Sequence, residues 1–112
     1  MFSLTVIQAD GGTETRHFHQ SKITIGRGSK DFPVDLRIEG DLEISRKQAV
    51  IERLENGSFS IVCEGRNPVE VDGRELQQGE RGEFGAGQTV RIGGVQLRVP
   101  TDTKSEKGSQ PS

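Results

Sequence analysis

The chain is poor in the side chains that build large hydrophobic cores. Its 112 residues include no tryptophan and no tyrosine, and apolar residues make up only 29%. A core assembled from so few apolar side chains must be small. A chain of this length can nevertheless bury well over half of the surface that it exposes when unfolded. We therefore expect one compact domain.

Disulfides and long hydrophobic runs are also missing. A single cysteine, Cys63, excludes an internal disulfide and is typical of a protein from a reducing compartment. No apolar run approaches the roughly 18 residues of a membrane span, and the N-terminus lacks the pattern of a secretory signal. We expect a cytoplasmic protein with no membrane partner.

The charge balance gives no broad basic surface. The formal net charge is −2, with 15 lysine and arginine residues against 17 aspartate and glutamate residues. A general nucleic-acid binder needs a basic face to neutralise phosphates, so nucleic acid is not an expected partner. Any function of the cationic side chains must come from local clustering.

Short runs of alternating apolar residues recur along the chain, and glycine, asparagine or aspartate clusters separate them, which is the pattern of β-strands. The Asn56-Gly57 and Asp72-Gly73 pairs predict hairpin turns. About ten or eleven short strands and no amphipathic helix indicate an all-β fold, an antiparallel sandwich or barrel. The alternating residues are Phe2, Leu4 and Val6; Ile23 and Ile25; Leu36 and Ile38; Ala49 and Ile51; Phe59, Ile61 and Cys63; Val69 and Val71; Val90 and Ile92; and Val95, Leu97 and Val99.

The end of the sequence differs from the rest. Residues 101–112 contain no apolar side chain, so burial cannot offset the entropy lost on ordering them. The pattern predicts a folded domain over residues 1–100, followed by a flexible polar tail or linker over residues 101–112.

Three short stretches carry the side chains that a phosphate group needs. They are Gly26–Ser29, Ser45–Ala49 and Arg66–Gly73, and each lies where a predicted strand meets a loop. Loops at one end of a sandwich converge on a rigid scaffold. Guanidinium groups remain charged and match phosphate oxygens in pairs, and serine adds a hydroxyl donor. The stretches therefore predict a phosphate-binding surface.

In order and spacing these stretches resemble the forkhead-associated (FHA) domain family of phosphothreonine-peptide readers. The family pattern is a Gly-Arg, a Ser-x-x-His about twenty residues later, and an asparagine-containing loop about twenty residues beyond that. The resemblance covers residues 2 to 99 and implies an FHA/SMAD-like β-sandwich with the binding loops at one end. Gln48 stands where the family usually has histidine, and Pro68 where it usually has glycine.

The resemblance implies a role for each matching residue. Arg27 and Ser45 match the pair that contacts phosphate, and Arg46 and Arg66 occupy neighbouring positions that assist. Asn67 matches the asparagine that holds the main chain of the peptide.

The same resemblance implies that the loops need structural support. Gly26, Gln48 and Gly73 match framework positions, and Gln48 takes the place of a buried histidine that hydrogen-bonds the loops. The glutamine amide both donates and accepts hydrogen bonds, so it is suited to the same role.

Catalytic, cofactor and metal sites are not expected. His17 and His19 share one face of a strand but lack a third ligand. Cys63 lies in register with Phe59 and Ile61, which predicts a core position.

Two functions remain open at this point. The first is a non-catalytic module that binds phosphothreonine-containing protein segments, including segments of its own parent protein, in Ser/Thr kinase signalling. The second is an FHA fold that acts as a phosphate-independent interaction or oligomerisation domain.

Overall fold

The computed structural model describes residues 2–31, 33–38 and 44–100, so the predicted tail over residues 101–112 lies outside the described residues. The described chain forms short strands without helices, and none of it forms a helix that could cross a membrane. The strands are β1 (Phe2–Ile7), β2 (Thr13–Phe18), β3 (Lys22–Gly26), β4 (Leu36–Arg37), β5 (Ala49–Arg53), β6 (Phe59–Cys63), β7 (Val69–Val71), β8 (Arg74–Leu76), β9 (Arg81–Phe84), β10 (Thr89–Ile92) and β11 (Val95–Arg98).

The strands form two sheets that pack face to face. A six-stranded sheet has the order β2-β1-β11-β10-β7-β8, and a five-stranded sheet has the order β4-β3-β5-β6-β9. This arrangement confirms the predicted all-β sandwich. One pairing departs from the antiparallel pattern, because β3 and β4 run parallel with Ile25 opposite Leu36. The connection between them is long enough to bring the chain back beside the middle of β3, where the Asp35 N–H donates to Thr24 O at 3.0 Å.

The core consists of the inward-facing side chains of both sheets. β1 shows the expected alternation, with Phe2, Leu4 and Val6 buried and the residues between them partly exposed. Cys63 is fully buried in the same core, which confirms its prediction as a core residue. Four phenylalanines pack in a row: the Phe2 ring lies 5.3 Å from Phe18 and 5.2 Å from Phe59, which stacks on Phe84 at 5.4 Å. These separations favour aromatic pairing.

Both predicted hairpin turns are confirmed. Asn56-Gly57 joins β5 to β6, which pair in antiparallel register. Asp72-Gly73 joins β7 to β8, and the two residues have φ values of 51° and 91°. Positive φ at both positions is the signature of a tight turn that matches the twist of a hairpin.

Strand register places three connections at one end of the sandwich. Ile25 near the end of β3 pairs with Ala49 at the start of β5, and Ala49 pairs with Cys63 at the end of β6. The chain therefore leaves β3, enters β5 and leaves β6 at the same edge. The loops after β3, before β5 and after β6 are brought together there.

Candidate functional site

The loops after β3 and before β5 touch through their backbones. The N–H of Arg27 donates to Ser45 O at 3.0 Å, and the N–H of Gly28 donates to Arg46 O at 3.0 Å. A Cβ atom at Gly26 would lie 2.2 Å from the Arg46 carbonyl oxygen. Glycine at position 26 is therefore required for the two loops to approach this closely.

Arg27 is held at the junction of these loops. Its Nε donates a hydrogen bond to Ile44 O at 3.1 Å, and the residue is partly buried. The terminal nitrogens of the guanidinium have no hydrogen bond with another described residue. One side of the group is thus fixed to the protein, while the other can donate a pair of parallel hydrogen bonds to an anion.

The hydroxyl of Ser45 joins the loop before β5 to the loop after β6. The Arg66 N–H donates to Ser45 Oγ at 3.2 Å. Because this oxygen accepts from the backbone, the hydroxyl proton remains to be donated to a ligand. Ser45 is partly buried, whereas Arg66 is exposed, so the contact places the hydroxyl beside a cationic residue.

The charge of this surface is positive. Arg46 and Arg66 are exposed, and within the described part of the chain neither guanidinium forms an ion pair. Lys47 pairs with Glu64 at 3.3 Å, with both side chains more than a third exposed, so the pair contributes little to stability. Within Gly26–Ser29, Ile44–Gln48 and residues 64–68, Glu64 is the one carboxylate, and Lys47 matches it. Arg27, Arg46 and Arg66 therefore leave an excess of positive charge in these segments.

The buried residue Gln48 forms hydrogen bonds with β3, with the loop before β5 and with the loop after β6. The residue is 1% exposed. Its Oε1 accepts from the Ser45 N–H at 2.9 Å, and its Nε2 donates to Asn67 O at 2.8 Å. Its backbone N–H donates to Ile25 O at 2.8 Å, and its backbone oxygen accepts from Glu64 and Gly65. The amide therefore ties the loop of Ser45 to the loop of Asn67.

Two further residues hold this arrangement, and sequence reasoning did not assign either to the site. A Cβ atom at Gly65 would lie 2.2 Å from Gln48 Oε1, so a glycine is needed there for the amide to fit. The thiol of Cys63 donates to Asn67 O at 3.3 Å. Burial raises the pKa of the Cys63 thiol, against the opposing effect of hydrogen bonds with the backbone. The neutral thiol is therefore the stable form.

Asn67 stands at the outer edge of this network. Its carbonyl oxygen is bound by Gln48 and Cys63, while the residue itself is exposed. A groove of about 220 Å³ runs beside it, lined by Ile44, Pro68 and Glu70 among others. These hydrogen bonds fix the backbone that carries the Asn67 amide, and Asn67 itself lines the groove. An amide in this position can pair with the main chain of an extended peptide.

Gly73 does not lie at the site, which corrects its assignment as a support of the binding loops. β7 runs away from Asn67, and the Asp72-Gly73 turn follows at its far end, where the Asp72 N–H donates to Thr89 O. The positive φ of Gly73 serves the hairpin of β7 and β8. Of the predicted residues, the structure brings Gly26, Arg27, Ser45, Arg46, Gln48, Arg66 and Asn67 together.

No cluster of three metal-ligating side chains occurs in residues 2–31, 33–38 and 44–100. His17 is hydrogen-bonded through Nδ1 to Ser3 Oγ at 2.6 Å on the face of β1 and β2. These strands belong to the other sheet from β3, β5 and β6, which carry the loops of Arg27 and Ser45.

The family model of the FHA domain matches residues 23–93, which include every residue of this surface. The chain belongs to the FHA domain family. This family is a class of binding modules rather than catalysts. The site thus coincides with the part of the sequence that carries the family match.

Individual relatives extend the likeness beyond these residues. Fork head protein homolog 2 of Schizosaccharomyces pombe is 26% identical over 108 residues, and the match covers 87% of this chain but 17% of that relative. The FHA domain of the CT664 protein from Chlamydia trachomatis has a TM-score of 0.75 at 23% identity, covering 90% of this chain and 98% of that domain.

A third comparison is with a domain that holds a ligand. The N-terminal FHA domain from S. cerevisiae Rad53p, solved in complex with a phosphothreonine peptide, has a TM-score of 0.67 at 15% identity. The match covers 89% of this chain and 94% of that domain. At such identities the two solved structures show that the fold is shared.

Proposed function

We propose that this FHA domain binds phosphothreonine-containing segments of proteins through the surface formed by Gly26–Ser29, Ile44–Gln48 and residues 64–68. The observation that carries the proposal is the joining of Arg27, Ser45 and Arg66 by hydrogen bonds between the three loops. All three residues are at least partly exposed, so their N–H and O–H donors are accessible to a ligand.

The chemistry of phosphothreonine matches these groups. The phosphate carries about −1.5 to −2 charges and three strong acceptor oxygens. The guanidinium of Arg27 supplies a pair of donors and the hydroxyl of Ser45 another, with Arg46 and Arg66 adding positive charge. Hydrogen bonds to charged groups contribute about 1.5–3 kcal/mol each. Three or four are sufficient for a micromolar complex, which needs about 8 kcal/mol after the costs of association.

Recognition of the peptide itself is assigned to Asn67. Its backbone is fixed by Gln48 and Cys63, so the main chain that carries the amide is in place before the ligand arrives. A preorganised group loses less entropy on binding than a mobile one. The phosphate would thus anchor the ligand, while Asn67 orients its main chain along the groove.

The biological setting follows from the ligand. A site that binds phosphothreonine requires a Ser/Thr kinase to modify its ligand first. The phosphorylated segment can belong to another protein or to the parent chain, since both present the same phosphothreonine group. The buried, reduced thiol of Cys63 fits a cytoplasmic location.

The proposal is tested with a degenerate phosphothreonine peptide library presented to the purified domain. The selected sequence is then titrated in three forms, with phosphothreonine, with unmodified threonine and with glutamate at the central position. We expect binding of the phosphorylated form alone, because glutamate has one charge and a planar head with two oxygens. Equal affinity for the unmodified peptide would show a phosphate-independent interaction domain instead, and equal affinity for the glutamate peptide would show a site for general acidity.

A further inference from the structure

Strand β2 leaves one side of its backbone unpaired at the edge of the six-stranded sheet. It is six residues long, whereas the other edge strands of the described chain, β4, β8 and β9, have two to four residues. Its sequence contains neither proline nor glycine, and it pairs with β1 along its whole length without a bulge. Edge strands of this kind are templates for pairing with another chain.

The direction of the free backbone groups follows from the turn between β1 and β2. The N–H of Gln8 donates to Gly12 O at 2.7 Å, which makes this a hydrogen-bonded pair. Such pairs alternate along an antiparallel ladder. Counting from Gln8 and Gly12, the pairs of Glu14 with Val6 and of Arg16 with Leu4 are hydrogen-bonded, and the pair of Thr15 with Thr5 is not. The backbone groups of Thr13, Thr15 and His17 therefore point away from β1. Three residues therefore present their N–H and C=O groups at the open edge.

The side chains on β2 have opposite charges at matching positions. Glu14 and Arg16 lie opposite Val6 and Leu4 of β1, so both are on the same face of the strand. Within the described part of the chain neither forms an ion pair. Charged residues on an edge strand usually hinder pairing. Here the negative Glu14 and the positive Arg16 flank Thr15 symmetrically. In an antiparallel pair of two β2 strands centred on Thr15, each charge therefore faces the opposite charge on the other copy.

We propose that two copies of this chain associate by antiparallel pairing of their β2 strands, with Thr15 of one copy opposite Thr15 of the other. In this register each Thr13 pairs with His17 of the second copy through the free backbone groups. Each Glu14 lies opposite Arg16 of the second copy in a non-hydrogen-bonded pair, where side chains approach most closely. The two six-stranded sheets become one continuous sheet.

The pairing leaves the phosphate-binding loops accessible. A two-fold axis through Thr15 reverses the strand direction between the copies, so their loops face opposite ways. A pair of domains could then hold two separate ligands. The association does not depend on phosphate binding, and it is tested without a ligand.

Sedimentation of the full chain over a range of concentrations provides the test. The wild type is expected to form dimers in a concentration-dependent manner. In the proposed dimer, residue 14 of each copy faces residue 16 of the other. Glu14→Arg and Arg16→Glu therefore each create two pairs of like charges, and each is expected to lower the association constant by about tenfold. The double variant exchanges the charges and is expected to restore wild-type association. Arg74→Glu, on the opposite sheet edge at β8, is the control for an equivalent charge change.

A second variant tests the backbone contact. Thr15→Pro removes an outward N–H and is expected to abolish dimers while leaving the circular dichroism spectrum unchanged, since edge strands tolerate proline where the N–H faces solvent. A wild type that stays monomeric, or dimers insensitive to both charge variants, would overturn the proposal. Failure of the double variant to recover association would overturn the register.

Discussion

At the scale of single residues, the site depends on a buried amide. Gln48 accepts from the Ser45 N–H and donates to Asn67 O, so removing the amide would take the acceptor from the first and a donor from the second. Leaving buried polar groups unsatisfied costs about 1–3 kcal/mol. Gln48→Ala is expected to lower the free energy of unfolding by this amount, measured by denaturant titration.

Gln48→His is the matched variant. A neutral imidazole also offers one donor and one acceptor, so it is expected to keep most of the stability that the alanine variant loses. An alanine variant that unfolds at the same denaturant concentration as the wild type would contradict the role given to Gln48.

The hydroxyl of Ser45 is expected to contribute to phosphopeptide affinity. Its hydroxyl accepts from the Arg66 N–H and retains a proton that the proposed phosphate ligand can accept. Ser45→Ala is therefore expected to weaken phosphopeptide binding by about 1–3 kcal/mol through the loss of a charge-assisted bond, measured by calorimetry. Ser45→Thr keeps the hydroxyl and serves as the control. Unchanged affinity in the alanine variant would remove Ser45 from the phosphate contacts.

The sequence predicts the candidate site residues that carry functional groups, but not the residues that make room for them. Arg27, Ser45 and Asn67 could be found because guanidinium, hydroxyl and amide groups have recognisable chemistry. Gly65 has no side chain, and its requirement arises from the Gln48 amide packed against it. That contact joins residues on two loops, so local sequence contains no signal for it.

At the scale of elements, the site is formed by two loops in close backbone contact. Gly26 at the end of β3 faces the Arg46 carbonyl group, which is rigid backbone rather than a flexible side chain. Gly26→Ala is expected to push the loop before β5 away, with a stability loss of about 1–3 kcal/mol and weaker phosphopeptide binding.

Thermal unfolding and calorimetry of the same samples measure both effects. Gly85→Ala is the control, because a Cβ atom there meets nothing within 4 Å. Wild-type affinity and stability in Gly26→Ala would show that the loops do not need this contact.

Elements were predictable where the alternation was regular. β1 and β6 carry clear alternating apolar residues, and the turns at Asn56-Gly57 and Asp72-Gly73 have strong local chemistry. β4 is two residues long and pairs in parallel with β3, a partner set by tertiary packing. In β9 one of the two buried positions is Gly82, which has no side chain to mark it as apolar.

At the scale of the whole molecule, charge is distributed unevenly. The chain carries a formal net charge of −2, yet Arg27, Arg46 and Arg66 gather at one end. Composition alone could exclude a broad basic face but could not show this local excess. The excess depends on the register that brings the ends of β3 and β6 to the start of β5.

This electrostatic arrangement predicts the pH dependence of binding. The second ionisation of a phosphorylated side chain has a pKa of about 6, whereas arginine stays charged and the loops contain no histidine. Affinity is therefore expected to be constant above neutral pH and to fall by up to about tenfold at pH 5, as the dianion is lost. Calorimetry across this range measures it. Affinity that is flat or rises toward pH 5, with the domain still folded, would contradict a dianionic ligand.

Calorimetric titration of a selected phosphothreonine peptide into Arg27→Ala tests the central claim most directly. The Arg27 guanidinium has one hydrogen bond within the described residues, to Ile44 O, so its removal is expected to lower stability by about 1–3 kcal/mol. Arg74→Ala removes the same charge from the exposed β8 hairpin and serves as the control. The account predicts that Arg27→Ala abolishes binding while Arg74→Ala binds like the wild type. Wild-type affinity in a folded Arg27→Ala variant would contradict it.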